Sequence, residues 1–248
     1  RNELAEQFDS GSIDLALLAL NELAQRKSDK TNSYQKKDIE NFCDSIIARD
    51  DKVQVELIEA LIAQGISLTV LYEVFIPEAA ETLGNLWKES KVTFVDVNIG
   101  TQRLQRLSRV YEKQYLGPMY LFSEGPEILL ILPQKEVHTL SLITASGIFK
   151  KHGANPFIAV GYADKEIINL INQNNFKLIG ISVSNSENIE ECLKTARFIR
   201  SNVSKAIPLV VGGQGITKSN NAELKAIFDE ITVNPSKALE LISDREYN

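Results

Sequence analysis

The residues of this sequence that are best placed for chemistry follow the apolar run at 128–132. His138 comes shortly after that run and is one of only two histidines among the 248 residues. An imidazole in this position is either a metal ligand or a residue that merely begins the next helix. Glu136, taken alone, is interpreted as a solvated loop acid. The residues by themselves leave both interpretations of His138 open.

Three loops that follow apolar runs carry the other polar candidates. They read "PQKEVHTLS", "SVSNSEN" and "GGQGITKSN", and they offer an imidazole, several hydroxyls and a glycine pair. No G-x-G-x-x-G or Walker-type phosphate loop is present, so a dinucleotide or a nucleoside triphosphate is a poor guess. G-x-S-x-G is also absent, and no catalytic triad is visible.

The elements that must position these loops alternate between short apolar runs and amphipathic helices. The runs "EILLILP", "NPFIAVG", "KLIGISV", "IPLVVGG" and "EITV" predict five strands, with helices near 139–152, 164–174, 187–201, 219–228 and 235–243. Continuous apolar strands that alternate with helices are typical of a doubly wound parallel α/β sheet. Its ligand site is expected outside the carboxyl ends of the strands, at the topological switch point.

The sequence before this sheet has helical periodicity throughout. Four patterns between 38 and 116 predict a four-helix bundle, in which Gly65 ends one helix, Ser67 caps the next and Pro77 kinks or briefly breaks the third near Ile76. A further apolar helix at 13–25 is followed by a polar linker. The predicted units are an N-terminal helix and linker (1–35), a helical cap (36–117) and an α/β domain (127–248).

Composition excludes several classes of function. A net charge of −6 without a basic block disfavours direct binding of nucleic acid. Cys43 and Cys192 lie in helical patterns far from other ligand residues, and they are predicted to be reduced core thiols of a cytosolic protein. No apolar run approaches the ~20 residues of a membrane span.

A helical bundle ending in a tryptophan-bearing helix, followed by a five-stranded α/β domain with an imidazole after its first strand, resembles the cobalamin-binding module of corrinoid proteins. The module carries D-x-H-x-x-G after its first strand, S-x-L at its third and G-G after its fourth. In this sequence the corresponding residues are Glu136, His138, Ser141, Ser182, Ser184, Gly212 and Gly213. Within that superfamily, "LGNLWKESKVTFVDVNIGTQRLQRL" and "HTLS" are similar to the haem- or cobalamin-sensing antirepressors of photosynthetic bacteria.

The resemblance implies a role for each matched residue. His138 replaces the dimethylbenzimidazole base as lower cobalt ligand, and Glu136 accepts the other ring N–H. Ser182 contacts the buried base of the nucleotide tail, and Gly212 with Gly213 permits the tail's close approach; from the residues alone, this pair is equally an ordinary turn. Ser141 stands where a glycine makes room for the tail.

The sequence departs from the family's residues at two further places, one beside the nucleotide base and one over the upper face of the corrin. Ser184 replaces the leucine that packs against the base. Trp87, which alone is read as a packing residue, lies over the upper face by resemblance. The Glu-His pair that related light sensors carry ten residues later is Val97 and Asn98 here, so their photochemistry is not expected.

By resemblance, the chain is a non-enzymatic, cobalamin-binding or haem-binding regulator. Its expected partner is a transcription factor, a repressor of photosynthesis genes, and the helix at 12–26 either contacts that partner or packs on its own bundle. One alternative is a corrinoid methyl carrier of a methyltransferase system. Another is a scaffold that has lost cofactor binding. The sequence does not determine the oligomeric state.

Overall fold

The computed structural model describes residues 34–117, 124–204, 206–216 and 222–246. The helix predicted at 13–25 lies outside these residues. The helical half contains α1 (Lys36–Ile47), α2 (Asp51–Ala63), α3 (Leu68–Val70, Leu71–Phe75 and Ile76–Lys88, without interruption) and α4 (Phe94–Leu116).

The boundaries of these helices follow from local chemistry. The Ser67 hydroxyl accepts a hydrogen bond from the Val70 amide, which confirms the predicted cap at the start of α3. Gly65 has a φ of 95°, a conformation that suits glycine, and it ends α2 as predicted. Thr93 and Asp96 form a reciprocal capping box at the start of α4.

Pro77 changes α3 in a different way from the predicted kink or break. The helix is continuous, but the segment Leu71–Phe75 widens into a π-helical turn directly before the proline, and the Ile76 amide bonds to the Leu71 carbonyl. Proline has no N–H, and its ring crowds the carbonyl four residues earlier. The wider turn relieves that crowding and keeps the helix intact.

The second half is a parallel sheet with helices on both faces, as predicted. In the described part of the chain its order is β2-β1-β3-β4-β5. The strands are β1 (Glu127–Leu132), β2 (Asn155–Val160), β3 (Leu178–Ser182), β4 (Leu209–Gly212) and β5 (Glu230–Ile231). The intervening helices are α5 (Leu140–Lys151), α6 (Asp164–Gln173), α7 (Ile189–Asn202), α8 (Ala222–Ile227) and α9 (Pro235–Glu246).

Alternate residues of β1 enter different hydrophobic clusters. Leu129 and Ile131 pack with α6, α7 and α8, whereas Ile128, Leu130 and Leu132 pack with α5 and α9. Both faces of β1 are therefore buried, which explains why this strand reads as an unbroken apolar run. None of the described helices is long and apolar enough to cross a membrane.

Helix α5 joins the two halves of the molecule. Leu142 and Phe149 belong to a sheet cluster, whereas Leu140 belongs to the core of the helical half. A Cβ on Gly147 would lie 2.2 Å from the Tyr72 hydroxyl oxygen, so only glycine lets α3 approach α5 this closely. Lys150 also forms an ion pair with Glu112 of α4, at 2.7 Å.

Candidate functional site

The candidate site lies where the sheet's strand order reverses. Strand β1 is paired with β2 on one side and with β3 on the other, so the loops after β1 and β3 leave the same edge next to each other. This is the switch point at which open α/β sheets bind ligands. The loop after β1 turns sharply, since the Glu136 amide donates to the Pro133 carbonyl at 2.8 Å.

Glu136 is a buried carboxylate that organises both loops. One oxygen accepts hydrogen bonds from the amides of Val137 and His138, both at 3.0 Å, and from His138 Nδ1 at 2.6 Å. The other oxygen accepts from the Ser184 amide at 3.1 Å and from Asn188 Nδ2 at 2.9 Å. Its side chain has no exposed surface, so the interpretation of Glu136 as a solvated loop acid is wrong.

The charge on Glu136 is retained despite this burial. Burial raises the pKa of the carboxyl and is the largest single influence on it. Hydrogen bonds from His138, Asn188 and Ser184 together outweigh burial and lower the pKa to about 2. The side chain is therefore an acceptor-only carboxylate at neutral pH, and its two oxygens are occupied by five N–H donors from the described residues.

This carboxylate sets the orientation of His138. Because Nδ1 lies against Glu136, the proton of the neutral ring is held on Nδ1, and Nε2 is the nitrogen with a lone pair. The side chain is 61% exposed, so the ring projects from the sheet edge. The hydrogen bond to Glu136 is the largest influence on the pKa of His138 and raises it.

A single imidazole nitrogen limits what the site can bind. Among the described residues, no group of three or more His, Cys, Asp or Glu side chains could hold a metal ion. Bare transition metals in proteins generally need three or four protein ligands. One oriented imidazole is instead the contribution that a protein makes to a metal already held by a macrocycle. The same nitrogen can also accept a hydrogen bond.

The three matched serines meet beneath the His138 loop. Ser141 Oγ, on the first turn of α5, lies 3.1 Å from Ser182 Oγ and 3.2 Å from Ser184 Oγ. The hydroxyls of Ser141 and Ser184 each lie 3.4 Å from the His138 carbonyl oxygen. The structure therefore brings Glu136, His138 and these serines into one cluster.

The glycine pair at the end of β4 packs against the chain itself. The Gly212 carbonyl accepts from the Val183 amide at 2.8 Å, and a Cβ on Gly212 would lie 2.8 Å from the Thr232 oxygen. Gly213 has a φ of 102°, and its Cβ would lie 2.4 Å from the Val183 oxygen. The close approach predicted for this pair is thus made by the loop after β3 and by Thr232, directly after β5.

Trp87 belongs to a different part of the surface. It lies in the last turn of α3, is 50% exposed and makes a tilted ring contact with Phe94, with 6.3 Å between centroids. We call the exposed apolar group of Trp87, Phe94, Val95 and Ile99 the cap patch. Asn98, where the light sensors carry a histidine, donates its amide to the Phe94 carbonyl at 2.9 Å. Val97 is half-buried on the same helix.

Helix α4 connects the cap patch to the His138 loop. Gln105 Nε2 donates to Thr139 Oγ1 at 3.0 Å, directly beside His138. Phe94 lies eleven residues earlier on α4, which is about 16 Å along the helix axis. The structure therefore places Trp87 and His138 on surfaces that α4 links.

Three residues that position the site are absent from the predicted set. Asn188 was within the quoted loop "SVSNSEN", and an amide in a strand-end loop is a signal that could have identified it. Thr139 likewise lies in the loop "PQKEVHTLS", where its hydroxyl is a comparable signal. Gln105 carries no such signal, because its contact joins two elements that are distant in sequence.

Comparison with known proteins identifies one sequence relative and a solved structure with the same fold. No family model matches the chain. It is 24% identical over 158 residues to the uncharacterized 20.5 kDa protein in the bchF-crtJ intergenic region of Rhodobacter capsulatus, a match that covers 64% of this chain and 82% of the relative. The monomethylamine corrinoid protein of Methanosarcina barkeri superimposes with a TM-score of 0.69 at 10% identity, over 86% of this chain and all of that one.

A cobalamin-binding protein from Desulfitobacterium hafniense DCB-2 is also similar, at 12% identity over 85% of this chain and 98% of that one. Its TM-score of 0.40 is too low to establish a common fold. The likeness to the M. barkeri protein, by contrast, extends over the helical and α/β halves together. The chain therefore has the fold of that corrinoid protein.

Proposed function

We propose that this chain is a non-enzymatic regulator that holds cobalamin, or alternatively haem, on His138 and acts through a partner transcription factor. The observation that carries the proposal is the geometry of one side chain. His138 Nδ1 is fixed 2.6 Å from a buried carboxylate, and the ring is otherwise exposed at the switch point. A protein that supplies one axial nitrogen to a metal macrocycle needs this arrangement.

The residues present fit the axial side of such a cofactor. A corrinoid would supply a cobalt ion that its own ring already holds, and His138 would add one nitrogen ligand through Nε2. Glu136 selects the ring tautomer that leaves Nε2 unprotonated, and Ser184 with Asn188 holds Glu136 in place. The fold shared with the M. barkeri corrinoid protein supports the same choice of cofactor.

The way in which the two halves are joined supports the proposed regulatory role. The loop that carries His138 contacts α4 through Thr139 and Gln105, and α4 leads to the cap patch. A group bound on His138 would lie beside this contact between the loop and α4. It would favour whichever arrangement of the two halves it binds more tightly. The exposed apolar surface of the cap patch is available to the cofactor or to a protein partner.

Direct action on DNA is disfavoured by charge. The chain carries −6, whereas duplex binding requires several phosphate contacts from clustered lysines and arginines. A mobility-shift assay with the isolated chain is expected to show no salt-sensitive complex with duplex DNA. Tight binding that weakens steeply with salt would contradict a role through a protein partner.

A corrinoid methyl carrier is the second candidate. The fold likeness to the monomethylamine corrinoid protein favours it. The two functions differ in what they require, since a carrier must pass a methyl group between enzymes, whereas a regulator changes its affinity for a partner. A candidate repressor captured by the immobilised chain in a cobalamin-dependent manner supports regulation. Methyl transfer from the methylcobalamin-loaded chain to a thiol through an added methyltransferase supports the carrier.

The cofactor itself is tested by absorption spectroscopy. We expect hydroxocobalamin to change its spectrum on titration with the chain, and we expect His138→Ala to abolish that change. His152→Ala is the matched control, since His152 ends α5 and pairs with Ser236 at 2.9 Å, away from the sheet edge. An unchanged affinity in His138→Ala removes this residue from the site. Haemin, titrated in the same way, tests the alternative cofactor.

A further inference from the structure

The contacts beneath His138 close the space that a nucleotide tail would need. Ser141 Oγ is in hydrogen-bonding contact with Ser182 and Ser184, at 3.1 and 3.2 Å. A planar base inserted between α5 and β3 would need about 7 Å between the atoms on its two sides, since each face requires about 3.5 Å. The observed separation is that of a direct contact with nothing between.

The loop after β3 is also tied on its other side. The Val183 amide donates to the Gly212 carbonyl, and the Val183 carbonyl accepts from the Gly215 amide at 2.9 Å. Virtual Cβ atoms on Gly213 and Gly215 would lie 2.4 Å and 2.7 Å from backbone atoms of Val183 and Asn185. The space left by the missing side chains is thus filled by the chain's own backbone.

Opening this region would disturb the residues that orient His138. The Ser184 amide and the Asn188 side chain both donate to Glu136, and Glu136 in turn holds the imidazole. Moving the loop after β3 away from α5 would separate these donors from their buried acceptor, which is unfavourable. A closed serine cluster and a fixed His138 are therefore parts of one arrangement.

From this geometry we infer that the site takes the metal-bearing ring alone and leaves the nucleotide tail of cobalamin in solvent. The inference rests on the proposed function and specifies its ligand class: corrinoids are accepted without regard to their tail. Because the tail gains no contacts, its base only competes with His138 for the metal. Cobinamide, the same corrin without the nucleotide, should then bind at least as tightly as cobalamin.

The test compares two ligands on the full chain. Hydroxocobalamin and diaquocobinamide are titrated at one pH, and the two Kd values are measured by absorption. A cobinamide Kd equal to or below that of cobalamin, within about threefold, supports the inference. A cobalamin Kd at least tenfold lower overturns it while leaving the proposed function intact. Binding of neither ligand overturns the proposed function and the inference with it.

A variant at Ser141 separates the tail from the ring. Ser141→Val adds bulk between α5 and β3, and the ratio of the two Kd values is the readout, with far-UV circular dichroism confirming the fold. If the tail stays in solvent, the ratio remains that of the unmodified chain even if both affinities fall together. A selective loss of cobalamin binding would show that the tail enters the serine cluster and would overturn the inference.

Discussion

The His138 loop and the cap patch are held in opposite ways. The carboxylate behind His138 is fully buried and accepts hydrogen bonds from two loops of the sheet. Trp87, the corresponding candidate on the helical side, is half-exposed and makes a tilted ring contact with Phe94. One side of the proposed site is thus fixed before anything binds, whereas the other presents uncovered apolar surface.

This difference suggests separate contributions of the two sides to binding of the proposed cofactor. A metal-binding side chain that is already held in place, as His138 is, loses little rotational freedom on binding, so it supplies orientation and selectivity. An exposed aromatic side chain supplies affinity only when something covers it, in proportion to the apolar area removed from water. His138 on the sheet side should therefore determine which metal-bearing cofactor binds. The cap patch should change its exposed apolar surface when the cofactor is bound.

The largest effect is expected from removing the buried carboxylate. Glu136→Ala leaves the Ser184 amide, Asn188 and the His138 ring without their shared acceptor, and it should lower the free energy of unfolding by about 3 kcal/mol. It should also weaken cofactor binding by about 10-fold to 100-fold, as is typical when the residue that orients a metal ligand is lost. Urea denaturation and absorption titration measure the two effects.

Glu136→Gln is the matched control for this change. It keeps the size of the side chain and one acceptor oxygen, but it turns an NH₂ group toward backbone donors. Its free energy of unfolding and its cofactor affinity should both fall between those of the unmodified chain and those of Glu136→Ala. If Glu136→Ala were as stable as the unmodified chain, the view of this loop as preorganised would be wrong.

The joint between the two regions is the next target. Gly147→Val would place a side chain against the Tyr72 hydroxyl, where even a Cβ lies at 2.2 Å. We expect a loss of about 2–3 kcal/mol in the free energy of unfolding, the usual cost of overfilling a packed interface. Gly84→Ala is the control, because no atom lies within 4 Å of its added Cβ and alanine favours the helix by about 1 kcal/mol. Equal stability of the two variants would argue against tight docking of α3 on α5.

A smaller effect is expected at the cap patch. Trp87→Ala should change the free energy of unfolding by less than about 1 kcal/mol, since half of the side chain is already in water. If the cofactor covers about 60 Å² of this ring, the substitution should weaken binding about tenfold. Val55→Ala, at a similarly exposed position on α2, is the control and should leave the affinity unchanged. An unaltered Kd in Trp87→Ala would exclude Trp87 from the cofactor site.

The last comparison concerns how readily each of the two halves opens, which needs no cofactor and leaves the fold unchanged. Cys43 lies in the helical half and Cys192 in the α/β half, and burial raises their pKa values to about 11 and about 12. Single-cysteine chains made by Cys43→Ala and Cys192→Ala should react with a thiol reagent at least about 100-fold more slowly than a free thiol, because little thiolate forms. Rapid labelling of either chain at neutral pH would show that its half opens readily.

Much of this architecture is encoded in short stretches of sequence. The five apolar runs predict buried parallel strands, and the helical patterns between them predict the layers on both faces. The position of His138 after the first strand predicts that it lies at the switch point, because strand order in such sheets brings these loops together. Ser67 and Gly65 predict helix boundaries because capping involves only residues that are neighbours in sequence.

The surroundings of His138 were decided only by the tertiary structure. Glu136 looked like a solvated acid because its partners, Ser184 and Asn188, are 48 and 52 residues away. The closing of the serine cluster and the contact of Gly147 with Tyr72 likewise depend on how separate elements pack. Periodicity records which face of an element is buried, but it does not record what lies against that face. The sequence thus places the imidazole at the sheet edge, and only the packing of distant loops fixes its orientation and closes the space beside it.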